Sequence, residues 1–244
     1  MTKKIHDVDI NYINYGNSNG KNVVLLHGWG QNIEMMKPVG DGLKNDFNII
    51  IIDLPGFGAS TEPKETWTLY DYVDSIKTLL DILGINKPIL IGHSFGGKIS
   101  LLYASKYECL NLILFSSPFR PQIKKLSWKT KMLKKAKQIP GTETLAHFVK
   151  KHVGSTDYKN ASTRMRDIMV LHVNLDITED VKKIHIPTLI LWGTNDLAVS
   201  CDEAYELEKL ISSSGVVMYE NCTHYAYLER LKQTINVLNN FLKE

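Results

Sequence analysis

The stretch PILIGHSFGGKISLLYAS, residues 88–105, constrains the fold more than any other in the chain. An apolar run from Pro88 to Ile91 enters Gly92-His93-Ser94-Phe95-Gly96-Gly97, and a helix-like segment, Lys98 to Ser105, follows at once. This pattern predicts a buried strand, a sharp turn and a helix, with a serine at the apex. Gly92 and Gly96 carry no Cβ, so strand and helix can cross closely at such a turn. The turn lifts the Ser94 hydroxyl off the sheet, and a helix beginning near Phe95 aims free N–H groups and its positive dipole end at the same spot. Ser94 is therefore a candidate nucleophile on a strand–turn–helix elbow.

The rest of the chain repeats the same alternation. Val23–Leu26 and Asn48–Ile52 are short, apolar runs bounded by turns, as expected of strands buried on both faces of a parallel sheet. Residues 33–43 between them leave room for a crossover helix. Residues 4–16 suit an N-terminal hairpin. Residues 68–83 predict a helix, with Thr68 as N-cap, a buried stripe from Leu69 to Leu83, and Gly84 just past its end. Further strands are expected at Leu110–Phe115, Thr188–Trp192 and Val216–Tyr219, and helices at 202–211 and 228–242. Alternating strands and helices imply right-handed crossovers and a doubly wound, mostly parallel sheet.

Between Pro118 and Ile186 the rhythm breaks. Residues 126–138, 142–152 and 162–173 look helical, and no strand-like run appears. The expected organisation is a core built from residues 1–117 and 187–244, with 118–186 inserted as a helical cap. Ligands bind beyond the carboxyl ends of strands in such sheets, so a cap there would roof the pocket.

Composition narrows the function classes. With 43% apolar and 23% charged residues in 244, the chain has material for a sizeable core. A net charge of +3 does not point to nucleic acid. Cys109, Cys201 and Cys222 are odd in number and unclustered, which suggests neither a disulfide framework nor a zinc site. No paired-carboxylate or His/Cys cluster has metal spacing, and neither a dinucleotide fingerprint nor a phosphate loop is present. No metal and no cofactor are expected. The polar N-terminus and the lack of a membrane-length apolar run predict a cytoplasmic chain without membrane association.

A serine nucleophile needs a base, and the base needs a carboxylate. Of the eight histidines, His224 follows the last predicted strand and precedes the closing helix. His27 and His93 also sit at strand ends, but each lies in a tight glycine turn that favours a structural role. His6, His147, His152, His172 and His185 lie away from strand ends. Asp196 directly follows the strand at Thr188–Trp192, whereas the loop Ser116-Ser117-Pro118-Phe119 offers no carboxylate. Ser94, Asp196 and His224 are thus the candidate catalytic residues. The backbone N–H of Phe95 is one candidate oxyanion donor, and that of Trp29 is the other because His27-Gly28-Trp29-Gly30 resembles an HG-x-type oxyanion loop. Asp53 precedes Pro55-Gly56 and reads as a turn-capping aspartate.

The motifs HGWG (27–30), DLPGFGAS (53–60), GHSFGG (92–97), LWGTND (191–196) and NCTHYAYLE (221–229) resemble those of the α/β-hydrolase superfamily of serine esterases and related hydrolases. The likeness spans the chain apart from the insertion. It implies an eight-stranded α/β-hydrolase fold and a serine hydrolase, most simply a carboxylesterase, acting on a small-molecule acyl substrate. HGWG and DLPGFG also resemble the carboxylesterase group that demethylates a pimeloyl carrier-protein ester. Thioesterases, lactonases and carbon–carbon bond hydrolases belong to the same superfamily, as do ligand receptors that retain the triad, and the motifs leave these open. Thr223 stands where glycine is frequent before the histidine, and Val199-Ser200 where proline often follows the acid.

Within the insertion, between Arg120 and Lys137, Lys124, Lys125, Lys129, Lys131, Lys134 and Lys135 occur without an acidic residue, while Trp128, Met132 and Ala136 recur at helical spacing. Trp128 and Met132, with Trp29 and Phe95, are the candidate substrate-binding residues. The lysines form either a solvated face or a landing site for an acyl carrier protein or acyl-CoA.

Overall fold

The computed structural model describes residues 1–121 and 161–243. Its sheet has eight strands: β1 (Thr2–Ile5), β2 (Val8–Gly16), β3 (Asn22–Leu26), β4 (Asn48–Ile52), β5 (Ile89–His93), β6 (Asn111–Phe115), β7 (Thr188–Gly193) and β8 (Ser214–Tyr219). They lie in the order β1-β2-β4-β3-β5-β6-β7-β8. The β1–β2 and β2–β4 pairs are antiparallel and all others parallel. This is the α/β-hydrolase fold expected from the sequence.

Strand periodicity divides the core in two. Val24, Leu26, Ile50, Ile52, Leu90, Leu112, Leu114 and Ile190 face one side, against α2 (Leu69–Ile82) and α3 (Phe95–Lys106). Their sequence neighbours Val23, Leu25, Ile49, Ile51, Ile89, Ile91, Ile113 and Leu189 face the other, against α1 (Ile33–Leu43) and the C-terminal helix. Every residue of β5 is buried, which is why the strand reads as an unbroken apolar run. The helix α2 begins at a capping box: the Asp71 N–H reaches the Thr68 hydroxyl, and the Asp71 carboxylate accepts the Thr68 N–H at 2.6 Å. Gly84 follows its end at φ +71°.

Between β6 and β7, the described residues are helical where ordered into elements: α4 (Thr163–Asn174), capped by Ser162, and α5 (Thr178–Val181). The expected helices at 126–138 and 142–152, the lysine-rich face, and Trp128 and Met132 lie outside the described residues. After β7 come α6 (Asp202–Leu210), α7 (Ala226–Glu229) and α8 (Leu231–Lys243).

The single closing helix expected over 228–242 is divided at Arg230. The reason lies in the loop before it. The Glu229 carboxylate turns back to accept the Thr223 N–H, at 3.1 and 3.3 Å to its two oxygens, and also the Thr223 hydroxyl. That closes α7 into a compact turn around His224 and Tyr225. A glycine at 223 could not make the hydroxyl contact.

Candidate active site

Ser94 sits at the junction of β5 and α3 with φ 51° and ψ −109°. L-residues seldom adopt positive φ, so the conformation is strained and must be held by its surroundings. Three backbone bonds hold it. The Ser94 N–H donates to the Phe115 carbonyl (2.9 Å), the Gly96 N–H to the His27 carbonyl (3.1 Å), and the Lys98 N–H to the Ser94 carbonyl (3.0 Å). The glycines are required by close approach. A Cβ on Gly92 would stand 2.6 Å from the Gly96 oxygen, and one on Gly96 would collide with the carbonyls of Leu26 and His27. Ser94 itself remains partly exposed.

Asp196 and His224 are in direct contact, with Asp196 Oδ2 2.7 Å from His224 Nδ1. The Asp196 side chain is fully buried and that of His224 nearly so, at 14% exposure. The second carboxylate oxygen, Oδ1, accepts the N–H groups of Ala198 (2.8 Å) and Val199 (3.0 Å). Proline at 199 would lack that donor. Burial alone would raise the carboxyl's pKa. The hydrogen bond and charge of His224, with the two amides, outweigh it and hold Asp196 below the usual range. An ionised Asp196 draws the imidazole proton to Nδ1 and leaves Nε2 with a free lone pair.

His93 ties this pair to the elbow. The residue just before Ser94, it is wholly buried, and its Nε2 lies 3.1 Å from the His224 carbonyl. A carbonyl only accepts, so this bond needs the proton on Nε2. Burial, reinforced by the nearby His224, pushes the His93 pKa down to about 3, and the ring stays neutral. The structural role expected for His93 thus includes holding His224, which the sequence did not reveal.

The loop after β3 brings Trp29 beside Phe95. Their rings pack edge to face at 5.1 Å, and Trp29 packs likewise on Phe57 at 4.9 Å. His27 braces this loop. Its Nδ1 donates to the Gly28 carbonyl (2.7 Å), while Nε2 accepts the Leu54 N–H (3.0 Å). Burial lowers its pKa to about 4, in keeping with a neutral, structural ring. Asp53 does more than cap its own turn. Its oxygens accept the Ile33 N–H (2.8 Å), the Ala59 N–H (2.9 Å) and the Asn11 side-chain amide (2.8 Å), joining the start of α1, the turn after β4 and strand β2.

His172, which sequence reasoning set aside, and Lys98, which it did not weigh, also meet here. His172 of α4 packs edge to face on Phe95 at 4.7 Å and lies parallel to Trp29 at 6.4 Å. Lys98, one turn after Ser94, is 1% exposed. A cavity of about 250 Å³ opens beside Trp29 and Phe57 and extends to Met165, with Glu62 and Ser162 hydrogen-bonded to each other on its wall. Among the described residues, no cluster of three His, Cys, Asp or Glu side chains could hold a metal, and no helix is long and apolar enough to cross a membrane.

Residues 21–144, just over half of the chain, match the family model described as alpha/beta hydrolase fold. The chain belongs to that family. It is 26% identical over 252 residues to a mouse protein named monoacylglycerol lipase ABHD6, covering 90% of this chain and 75% of the relative. It is 27% identical over 284 residues to the proline iminopeptidase of Saccharolobus solfataricus, covering 99% and 91%. The crystal structure of the enol-lactonase from Burkholderia xenovorans LB400 superposes with a TM-score of 0.78 at 20% identity, covering 100% of both chains, and shares the fold.

Proposed function

We propose that this hydrolase-family chain is a serine hydrolase that cleaves a carboxylic ester, or a related acyl bond, through an acyl-enzyme. The supporting observation is the fully buried Asp196, hydrogen-bonded to His224 with its other oxygen saturated by amides, in a pair that His93, the residue before a serine held at positive φ, ties to the elbow through the His224 carbonyl. Mouse monoacylglycerol lipase ABHD6, as named, adds a relative acting on an ester.

In this reading, His224 Nε2 takes the Ser94 proton as Oγ attacks the acyl carbonyl carbon. The Phe95 and Trp29 N–H groups receive the oxyanion. The resulting imidazolium, stabilised by Asp196, returns the proton to the departing alcohol oxygen, leaving the acyl group on Ser94. Water, deprotonated by His224, then attacks the acyl-enzyme. The carboxylic acid leaves, and Ser94 recovers its proton. The aromatic and apolar surfaces of Trp29, Phe57 and Met165 suit an uncharged organic group of the substrate. The segment 118–186 acts as the cap. Its lysine-rich face is a proposed landing site for a carrier-linked or CoA-linked acyl group.

The test is turnover of p-nitrophenyl acetate and butyrate by wild type and Ser94→Ala. Sustained wild-type turnover, reduced by on the order of 10⁴-fold in a folded Ser94→Ala protein, supports the reading. A single slow turnover with product retained would favour a receptor. Near-normal activity in Ser94→Ala would refute the assignment.

A further inference from the structure

The most unusual charge among the described residues is Lys98. Its ammonium is enclosed, yet it faces two main-chain carbonyls rather than a paired carboxylate: His172 O at 3.0 Å and Leu175 O at 2.5 Å. These carbonyls lie at the C-terminal end of α4, where the dipole is negative, and His172 O also accepts the Leu175 N–H at 3.4 Å. Burying an ammonium opposes folding, and a methionine of similar length would fill the space without that cost. Burial lowers the Lys98 pKa to about 8, while the charges of Glu203 on α6 and Asp176 after α4 oppose the shift. The lysine thus spends solvation on directional bonds to one segment.

That segment carries His172. Its ring is 7% exposed, and its buried Nδ1 has no hydrogen-bond partner. Burial, then the charge of Lys98, pushes its pKa down to about 3, so it is a neutral ring. It rests on Phe95 and parallel to Trp29, the two residues whose amides are assigned to the oxyanion. Nearby, the Ile177 N–H donates to the Phe119 carbonyl (3.0 Å), and the Phe119 N–H donates to Glu203 Oε2 (3.2 Å). The chain leaving β6 and the chain returning from α4 are therefore clipped together beside Lys98.

We infer that Lys98 is a positioning residue of the acyl-binding site: it anchors the end of α4 to the helix that carries Ser94, and so holds His172 as a wall against Phe95 and Trp29. This rests on the proposed ester hydrolysis. Lys98 lies four residues after Ser94, with its own N–H on the Ser94 carbonyl, so anchor and nucleophile share one helical turn. Such a wall limits the length of acyl chain that fits beside Ser94. Loss of the anchor releases the wall rather than the triad, and the effect falls on chain-length selectivity.

The experiment compares wild type, Lys98→Met, Lys98→Arg, His172→Ala and the Lys98→Met/His172→Ala double variant. One readout is kcat and KM on p-nitrophenyl esters from acetate to octanoate. In Lys98→Met, the octanoate-to-acetate ratio of kcat/KM should change by about tenfold or more, chiefly through KM, as a pocket altered by a few methylenes does. His172→Ala should shift the ratio in the same direction, the double variant should show no further shift, and Lys98→Arg, which keeps the donors, should stay nearer wild type. An unchanged ratio in a folded Lys98→Met protein, or independent multiplicative shifts, would overturn the inference. If Lys98→Met does not fold, His172→Ala decides, and an unchanged ratio there overturns it. The second readout is amide hydrogen exchange in residues 165–177, which needs no substrate. Exchange should rise about tenfold in Lys98→Met and much less in Lys98→Arg. If wild type hydrolyses no ester, the ester reading fails, while the exchange comparison still decides whether Lys98 anchors α4.

Discussion

At Asp196, both carboxylate oxygens have assigned partners: one accepts two amides and the other faces His224. Asp196→Asn keeps the shape but replaces an acceptor with a donor, which favours the wrong imidazole tautomer. It should lower kcat by about 10⁴-fold, with KM little changed. Steady-state kinetics on a p-nitrophenyl ester checks this. The same residue predicts a pH effect. Its folded pKa lies below the ordinary value, so its stabilisation is present above the ordinary aspartate range and is lost as pH falls through the folded value. Urea unfolding of wild type and Asp196→Asn at successive pH values should show their difference shrinking in acid; a constant difference would contradict it. His93 offers a subtler test. His93→Leu removes the bond to the His224 carbonyl, and kcat should fall by about 10- to 100-fold, less than for a triad residue, as expected when a small misplacement is introduced.

Among the elements, the β5–α3 elbow tolerates least. Gly96→Ala would press a methyl into the carbonyls of Leu26 and His27, and neither strand nor loop can retreat without breaking the sheet. Destabilisation of about 3 kcal/mol or more is expected from such overpacking, read as a fall in the urea midpoint. By contrast, Thr68→Ala at the N-terminus of α2 removes the capping bond from the Asp71 N–H and the hydroxyl's bond to the Asp71 carboxylate, both on the surface, and should cost about 1 kcal/mol. Its activity should be unchanged, because the cap touches nothing near Ser94. The elbow was legible in the sequence because its demands are local: two glycines, one serine, an apolar run on one side and a helix on the other. The division of the closing helix at Arg230 was not, because the Glu229–Thr223 contact reaches back to a loop residue whose position depends on the fold.

Across the whole molecule, legibility follows the reach of the forces involved. Strands β3, β4 and β5 are apolar on both faces because both faces are covered, so sequence alone predicts a parallel sheet with helices on each side. Ser94, Asp196 and His224 stand at strand ends, where this architecture gathers functional groups, and sequence order sufficed to pair Asp196 with His224. Lys98 and His172 left no such sign. A lysine in an apolar helix and a histidine in an amphipathic one become informative only when α4 closes over α3. Lys98 also predicts a molecule-wide response. Its folded pKa, about 8, lies below the ordinary lysine value, so the unfolded chain binds more protons between the two. Stability relative to Lys98→Met should therefore rise with pH through that window, and paired urea unfolding checks it.

The central claim, that Ser94 forms the acyl-enzyme with His224 as its base, is tested most directly by trapping the adduct. The protein would be acid-quenched during p-nitrophenyl butyrate turnover, digested, and analysed by peptide mass spectrometry. The account predicts a butyryl group on the Ser94 peptide, absent in Ser94→Ala and formed far more slowly in His224→Ala. Butyryl transfer confined to another residue, or a Ser94 peptide acylated equally fast without His224, would contradict it.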